Sequence, residues 1–216
     1  MTEQVANVDS GLDSPPRAMI VYLHGFRSSP LSIKARATRR YVDAMPAAVR
    51  PRLFVPDLGD RPAAAIAKVL AIVDEQRAPG DALAFIGSSL GGYYATHLAE
   101  RLGARAVLVN PTTRPYDDLD PYRGEQTNLY SGERFVVGDA HFAELRALAV
   151  DRITRPDRYF LLVETGDEVL DWRLASVFYA GAWQFVQGGG DHALQGYEAQ
   201  LPAILRFATG GGPAAG

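Results

Sequence analysis

The sequence predicts one α/β domain whose mostly parallel sheet carries helices on both faces. Short apolar runs alternate along the chain with stretches of helical composition, which implies right-handed crossovers between parallel strands. Several of those runs are apolar throughout, without the every-second-residue alternation of a half-exposed strand. Strands covered on both sides read in this way. The chain has 216 residues, a length that suits one such domain better than two and can bury a full core without disulfides or metals.

The elements follow in order. Ala18–Leu23 (AMIVYL) reads as the first strand and is followed by helical composition over Ser32–Ala44. Arg52–Val55 precedes a helix over Ala63–Arg77, and Ala82–Gly87 (ALAFIG) runs into a helix over Leu90–Leu102. Arg105–Val109 (RAVLV) is the fourth strand. Tyr159–Glu164 (YFLLVE) precedes a helix over Trp172–Tyr179, and Ala182–Val186 precedes a last helix over Tyr197–Ala208. Between the fourth and fifth strands the rhythm breaks. Residues 112–155 are rich in Pro, Asp, Gly and Tyr, with one helical stretch at Phe142–Val150, and read as a covering insertion. Such an excursion is either a substrate-contacting cap or a cover without chemical role.

Residues 1–16 and 210–216 are too polar or too rich in glycine to offset the entropy of ordering, so both are expected to be flexible and the folded unit to span 17–209. The start of the chain lacks the basic-then-apolar pattern of a signal peptide, and no apolar run reaches the ~18 residues of a spanning helix. A cytoplasmic protein that does not insert into membranes is therefore expected. Net charge is −3, without the basic excess of a broad nucleic-acid surface. The absence of cysteine excludes a disulfide framework, a thiolate nucleophile and thiolate metal sites. No cofactor or metal is called for, and oligomeric state is not indicated.

The most informative stretch is Leu83-Ala-Phe-Ile-Gly87-Ser88-Ser89-Leu90-Gly91-Gly92-Tyr93, which contains G-x-S-x-G between a short apolar strand and a helix. A serine on so sharp a turn projects its hydroxyl away from the sheet. The flanking glycines avoid clashes with the neighbouring strand and helix. The Leu90 amide, at the positive end of the helix, then points towards a reacting carbonyl. A dinucleotide-binding loop would instead show G-x-G-x-x-G in the first βα unit. Upstream, Leu23-His24-Gly25-Phe26 closes the first strand, where the Phe26 amide could face the serine as a second oxyanion donor. His24 is expected to brace that turn.

Of four histidines, His24 precedes the serine, His97 lies two turns into the following helix, and His141 precedes the fifth strand. His192, in Gly-Gly-Gly-Asp-His192 after the last strand, is the candidate base in the chain order Ser, acid, His. Asp167, just past the fifth strand in Glu164-Thr-Gly-Asp167-Glu168, is the candidate acid. Glu168 and Asp171 compete with it, Asp171 also fitting a helix N-cap, and Asp191 reads as a loop carboxylate. Arg27, Tyr93 and Asn110, with Ser28 and Pro111, flank the strand ends and are candidates for lining the pocket.

With these residues placed, the chain resembles the YqiA-like small esterases of the α/β-hydrolase superfamily. The resemblance runs from Met19 to Phe207 and rests on IVYLHGFRSSP, FIGSSLGGYYAT, VLVNP with the following RPY, ETGDEVLDWR and GGGDHAL. It implies an α/β-hydrolase-type single domain without a large lid. It also implies a small-molecule acyl ester or thioester substrate, with Ser89, His192 and Asp167 at the triad positions. A non-catalytic binding protein of the same fold, or an acyltransferase or peptidase using the same nucleophile, stays open at this point.

Overall fold

The computed structural model describes residues 17–212. Its central sheet holds six strands: β1 (Met19–Leu23), β2 (Arg52–Phe54), β3 (Leu83–Ser88), β4 (Arg105–Val109), β7 (Tyr159–Glu164) and β8 (Trp183–Gln187). Their spatial order is β2-β1-β3-β4-β7-β8 and every pairing is parallel. Helices α1 (Ile33–Ala44) and α7 (Tyr197–Ala208) cover one face. The other is covered by α2 (Pro62–Gln76), α3 (Leu90–Leu102), α5 (Asp139–Ala147) and α6 (Trp172–Phe178). The unbroken apolar character of β1 is explained by this layering. Met19, Val21 and Leu23 enter the α2–α3 core, while Ile20 and Tyr22 enter the α1–α7 core. Among the described residues no helix is long and apolar enough to cross a membrane.

The chain leaves β1 towards β2 on one side, then returns so that β3 pairs with β1 on the other, Leu23 standing opposite Gly87. Loops after β1 and β3 therefore diverge and open a crevice at the carboxyl ends of these strands, where open α/β sheets bind ligands. Both the His24-Gly25-Phe26 turn and Ser89 sit at this point.

The excursion between β4 and β7 contains α4 (Pro115–Asp118), a separate antiparallel hairpin of β5 (Gly124–Thr127) and β6 (Arg134–Val137), and α5. Here α5 starts at Asp139, three residues before the Phe142 expected from apolar spacing. The His141 imidazole accepts from the Gly138 amide and so fastens the helix start further upstream. Residues 1–16 and 213–216, expected to be flexible, lie outside the described residues. Within the expected tail, Gly211 is tied down: its amide donates to Arg206 and its carbonyl accepts from Arg105.

Candidate active site

The turn after β3 holds Ser89 at φ 56° and ψ −122°. A non-glycine residue at positive φ is strained, and the surroundings must over-determine it. They do so from both sides: the Ser89 amide donates to Val109 (3.0 Å), and its carbonyl accepts from Gly92 (2.9 Å). A methyl group on Gly87 would collide with the Gly91 carbonyl, one on Gly91 with the Leu23 carbonyl, and one on Gly92 with the Pro111 side chain. The glycines of the motif are thus required by close approach of backbone to backbone.

Opposite lies the turn after β1. A methyl group placed on Gly25 would stand 3.2 Å from Ser89 Cβ and 3.7 Å from Ser89 Oγ, so this backbone passes directly over the serine. Neither the Phe26 nor the Leu90 amide donates to an acceptor among the described residues. Leu90 is the first residue of α3, whose amide has no partner within the helix. His24 braces the turn as expected. Its Nδ1–H donates to Gly25 O (3.1 Å), and its Nε2 accepts from the Leu58 amide (3.1 Å). Burial holds this imidazole below the ordinary histidine range despite the Gly25 hydrogen bond and the nearby Asp57.

A folded-state value below the unfolded one means the unfolded chain takes up the proton first as pH falls. Stability is then full at neutral pH and declines from about pH 6.5 down to the depressed value. We expect the slope of Tm against pH in that window to flatten in His24→Gln. A slope unchanged from wild type would refute the bracing role of the neutral ring.

His192 Nε2 lies 3.1 Å from Ser89 Oγ, and its Nδ1 lies 2.8 and 3.0 Å from the two oxygens of Asp167. Asp167 Oδ1 also accepts from the Val169 (2.9 Å) and Leu170 (2.8 Å) amides. Burial would raise this carboxyl, but the His192 hydrogen bond, the two amides and the His192 charge outweigh it and bring it below the usual range. The competing carboxylates are engaged elsewhere. Glu168 accepts from the His192 backbone amide (3.0 Å), and Asp171 caps α6 by accepting from Arg173 N (3.0 Å). Asp191 accepts from Ala193 N and Gln195 within its own loop. His97 meets Leu148 O, far from the serine in the fold.

Two buried side chains that sequence reasoning did not place in this role hold the histidine loop. Asn110, read as a pocket-lining candidate, lies beneath it at φ 39° and 2% exposed. Its Nδ2 donates to the Asp191 and His192 carbonyls (both 3.1 Å), while its Oδ1 accepts from Glu164 N (3.1 Å). The buried Glu164 carboxylate accepts from the Asp191 amide (2.8 Å), and Gly190, at φ 72°, leaves no room for a side chain above it. From α1, Lys34 Nζ donates to Ala193 O (2.8 Å), and burial lowers its ammonium to about 8. Signals existed only in part: the NP pair after β4 and the glutamate ending β7 were visible, but their partners were not.

A cleft of about 650 Å³ opens at Ser89 and His192, lined in part by Arg27, Ile33, Leu129, Tyr130, Leu194 and Tyr197. Arg27 and Ser28 border it. Tyr93 does not: its ring is buried against α5, where the hydroxyl donates to Leu145 O (2.7 Å).

The fold is shared with solved structures. A presumed hydrolase from Agrobacterium vitis S4 superposes with TM-score 0.71 at 20% identity, over 89% of this chain and 88% of that one. Alpha/beta hydrolase domain-containing protein 10 from mouse gives 0.62 at 18% identity, over 86% of each chain. The esterase domain of a Rhodothermus marinus protein gives 0.63 at 17% identity, over 91% and 90%. These likenesses establish the α/β-hydrolase fold. At the level of sequence, residues 19–209 match the uncharacterised protein family UPF0227, and the chain belongs to that family, the family of the YqiA-like proteins.

Proposed function

We propose that the protein is a serine hydrolase that cleaves small acyl esters or thioesters through an acyl-enzyme on Ser89. The observation that carries this reading is the continuous line of hydrogen-bonding atoms from Ser89 Oγ through His192 to Asp167, beside a turn whose Gly25 passes over the serine and which, with Leu90, offers amides that have no acceptor among the described residues. The esterase domain among the structural relatives is in keeping with it.

In this reading Ser89 Oγ attacks the substrate carbonyl carbon while His192 Nε2 takes the hydroxyl proton. Asp167, holding Nδ1–H, keeps the free Nε2 lone pair aimed at the serine and stabilises the imidazolium. The carbonyl oxygen becomes an oxyanion between the Phe26 and Leu90 amides, each donor worth roughly 10²–10³ in rate. The tetrahedral intermediate collapses as the carbon–heteroatom bond breaks and His192 gives its proton to the leaving alcohol or thiol. Water, deprotonated by His192, then attacks the acyl carbon, and Ser89 leaves with the returned proton.

A fluorophosphonate probe is expected to add one equivalent to folded protein at neutral pH, with peptide mass mapping placing the adduct on Ser89. Folded protein that stays unlabelled and turns over no chromogenic ester would overturn the reading.

A further inference from the structure

The excursion between β4 and β7 is bound to the turn that carries the Phe26 amide. The Leu129 amide donates to Arg27 O (2.9 Å), Arg27 Nε donates to Thr127 O (2.9 Å), and Asn128 Nδ2 donates to Ser28 O (2.9 Å). Arg27 is itself at φ 55°, a strained conformation next to the amide in question, so these bonds fix a backbone that would not choose that shape alone. The Phe26 ring is wedged edge-on against Tyr122 and Phe135 of the same excursion, at centroid distances of 5.6 and 5.8 Å.

The same short loop forms a wall of the cleft. Leu129 and Tyr130 border it together with Ile33 of α1, and all three are exposed, at 70%, 43% and 68%. Exposed apolar side chains gathered at the mouth of a cleft, rather than scattered singly, mark a surface for an apolar ligand group. Asn128 joins the two features. Its Oδ1 accepts from the Tyr130 and Ser131 amides, shaping the lip, while its Nδ2 reaches the oxyanion turn.

Resting on the esterase reading above, we infer that Leu129, Tyr130 and Ile33 receive an apolar acyl chain and that Asn128 is a positioning residue coupling this lip to the Phe26 amide. Contact of the chain with the lip then steadies the oxyanion donor. Part of the chain's binding energy is expressed in the transition state and appears in kcat, not only in KM.

The test is a series of p-nitrophenyl esters from acetyl to octanoyl, assayed with wild type and with Asn128→Asp. Aspartate keeps the Oδ1 acceptor that shapes the lip but removes the donor to Ser28 O. In wild type kcat is expected to rise with chain length while KM falls. In Asn128→Asp the fall in KM persists, but the rise in kcat is lost, leaving kcat on the octanoyl ester about tenfold below wild type. Equal kcat profiles in two well-folded proteins, or a wild-type kcat indifferent to chain length, overturn the coupling while leaving the esterase reading intact. A wild type inactive on every ester and inert to the fluorophosphonate overturns both. If Asn128→Asp folds poorly, Leu129→Ala serves in its place: the coupling predicts a flattened kcat profile there too, and a profile changed only in KM refutes it.

Discussion

Ser89→Ala is expected to lower kcat on acyl esters by about 10⁶-fold, leaving only what the amides and substrate binding supply. The loss is set by chemistry rather than by fold. Among the described residues the Ser89 side chain makes no hydrogen bond other than the one to His192, and the strained turn is held by backbone bonds and glycine contacts that the substitution does not touch. Thermal unfolding should therefore match wild type. Because nucleophile and base act as a unit, adding His192→Ala to Ser89→Ala should lower the rate little further. Rate measurements on single and double variants check both statements. Retention of more than a hundredth of the activity in Ser89→Ala would move the nucleophile elsewhere.

Asp167→Asn is expected to cost about 10⁴-fold in kcat. An asparagine in this place can offer an N–H to the imidazole, so Nδ1 accepts, Nε2 carries the proton, and the nitrogen facing Ser89 no longer works as a base. The remaining Oδ1 can still receive the Val169 and Leu170 amides, so the loop should persist. Stability gives a second reading. A carboxyl lowered in the folded state stabilises the fold above its unfolded value near 3.9, and that contribution is lost as pH falls through the folded value. Wild type should therefore lose Tm below about pH 4 more steeply than Asp167→Asn. Equal slopes would deny that the partners of Asp167 hold it ionised.

What the sequence made legible depended on how local the determinant is. Ser89 announced itself because every contact enforcing its turn comes from glycines within a few positions or from the ends of neighbouring strands. The strands β1, β3, β4 and β7 were visible because burial on both faces removes polar alternation from each. His192 and Asp167 followed from chain order. By contrast, the roles of Asn110, Glu164 and Lys34 depend on register across the sheet and on how α1 packs against a loop. Asn110 meets its carbonyls 81 and 82 residues away, and Lys34 meets Ala193 across 159. Nothing near these residues marks their partners. Tyr93 misled for the opposite reason: it follows the serine closely in sequence, yet helical rotation turns its ring into the core beneath α5. The start of α5 escaped because a histidine, not one of the residues favoured at helix starts, secures it.

Residues 110–158 leave and rejoin the sheet on β4 and β7, which are hydrogen-bonded neighbours. A longer, shorter or exchanged loop could bridge that gap while the two strands still zipped together. A replacement would have to cover α3, where Tyr93 and His97 find their acceptors on Leu145 and Leu148, and to supply again the bonds that Thr127, Asn128 and Leu129 make with Arg27 and Ser28. Ser89, Asp167 and His192 thus lie outside the stretch that brings Leu129 and Tyr130 to the cleft mouth, and a relative that keeps the anchoring bonds can change that part of the wall while leaving the three side chains in place.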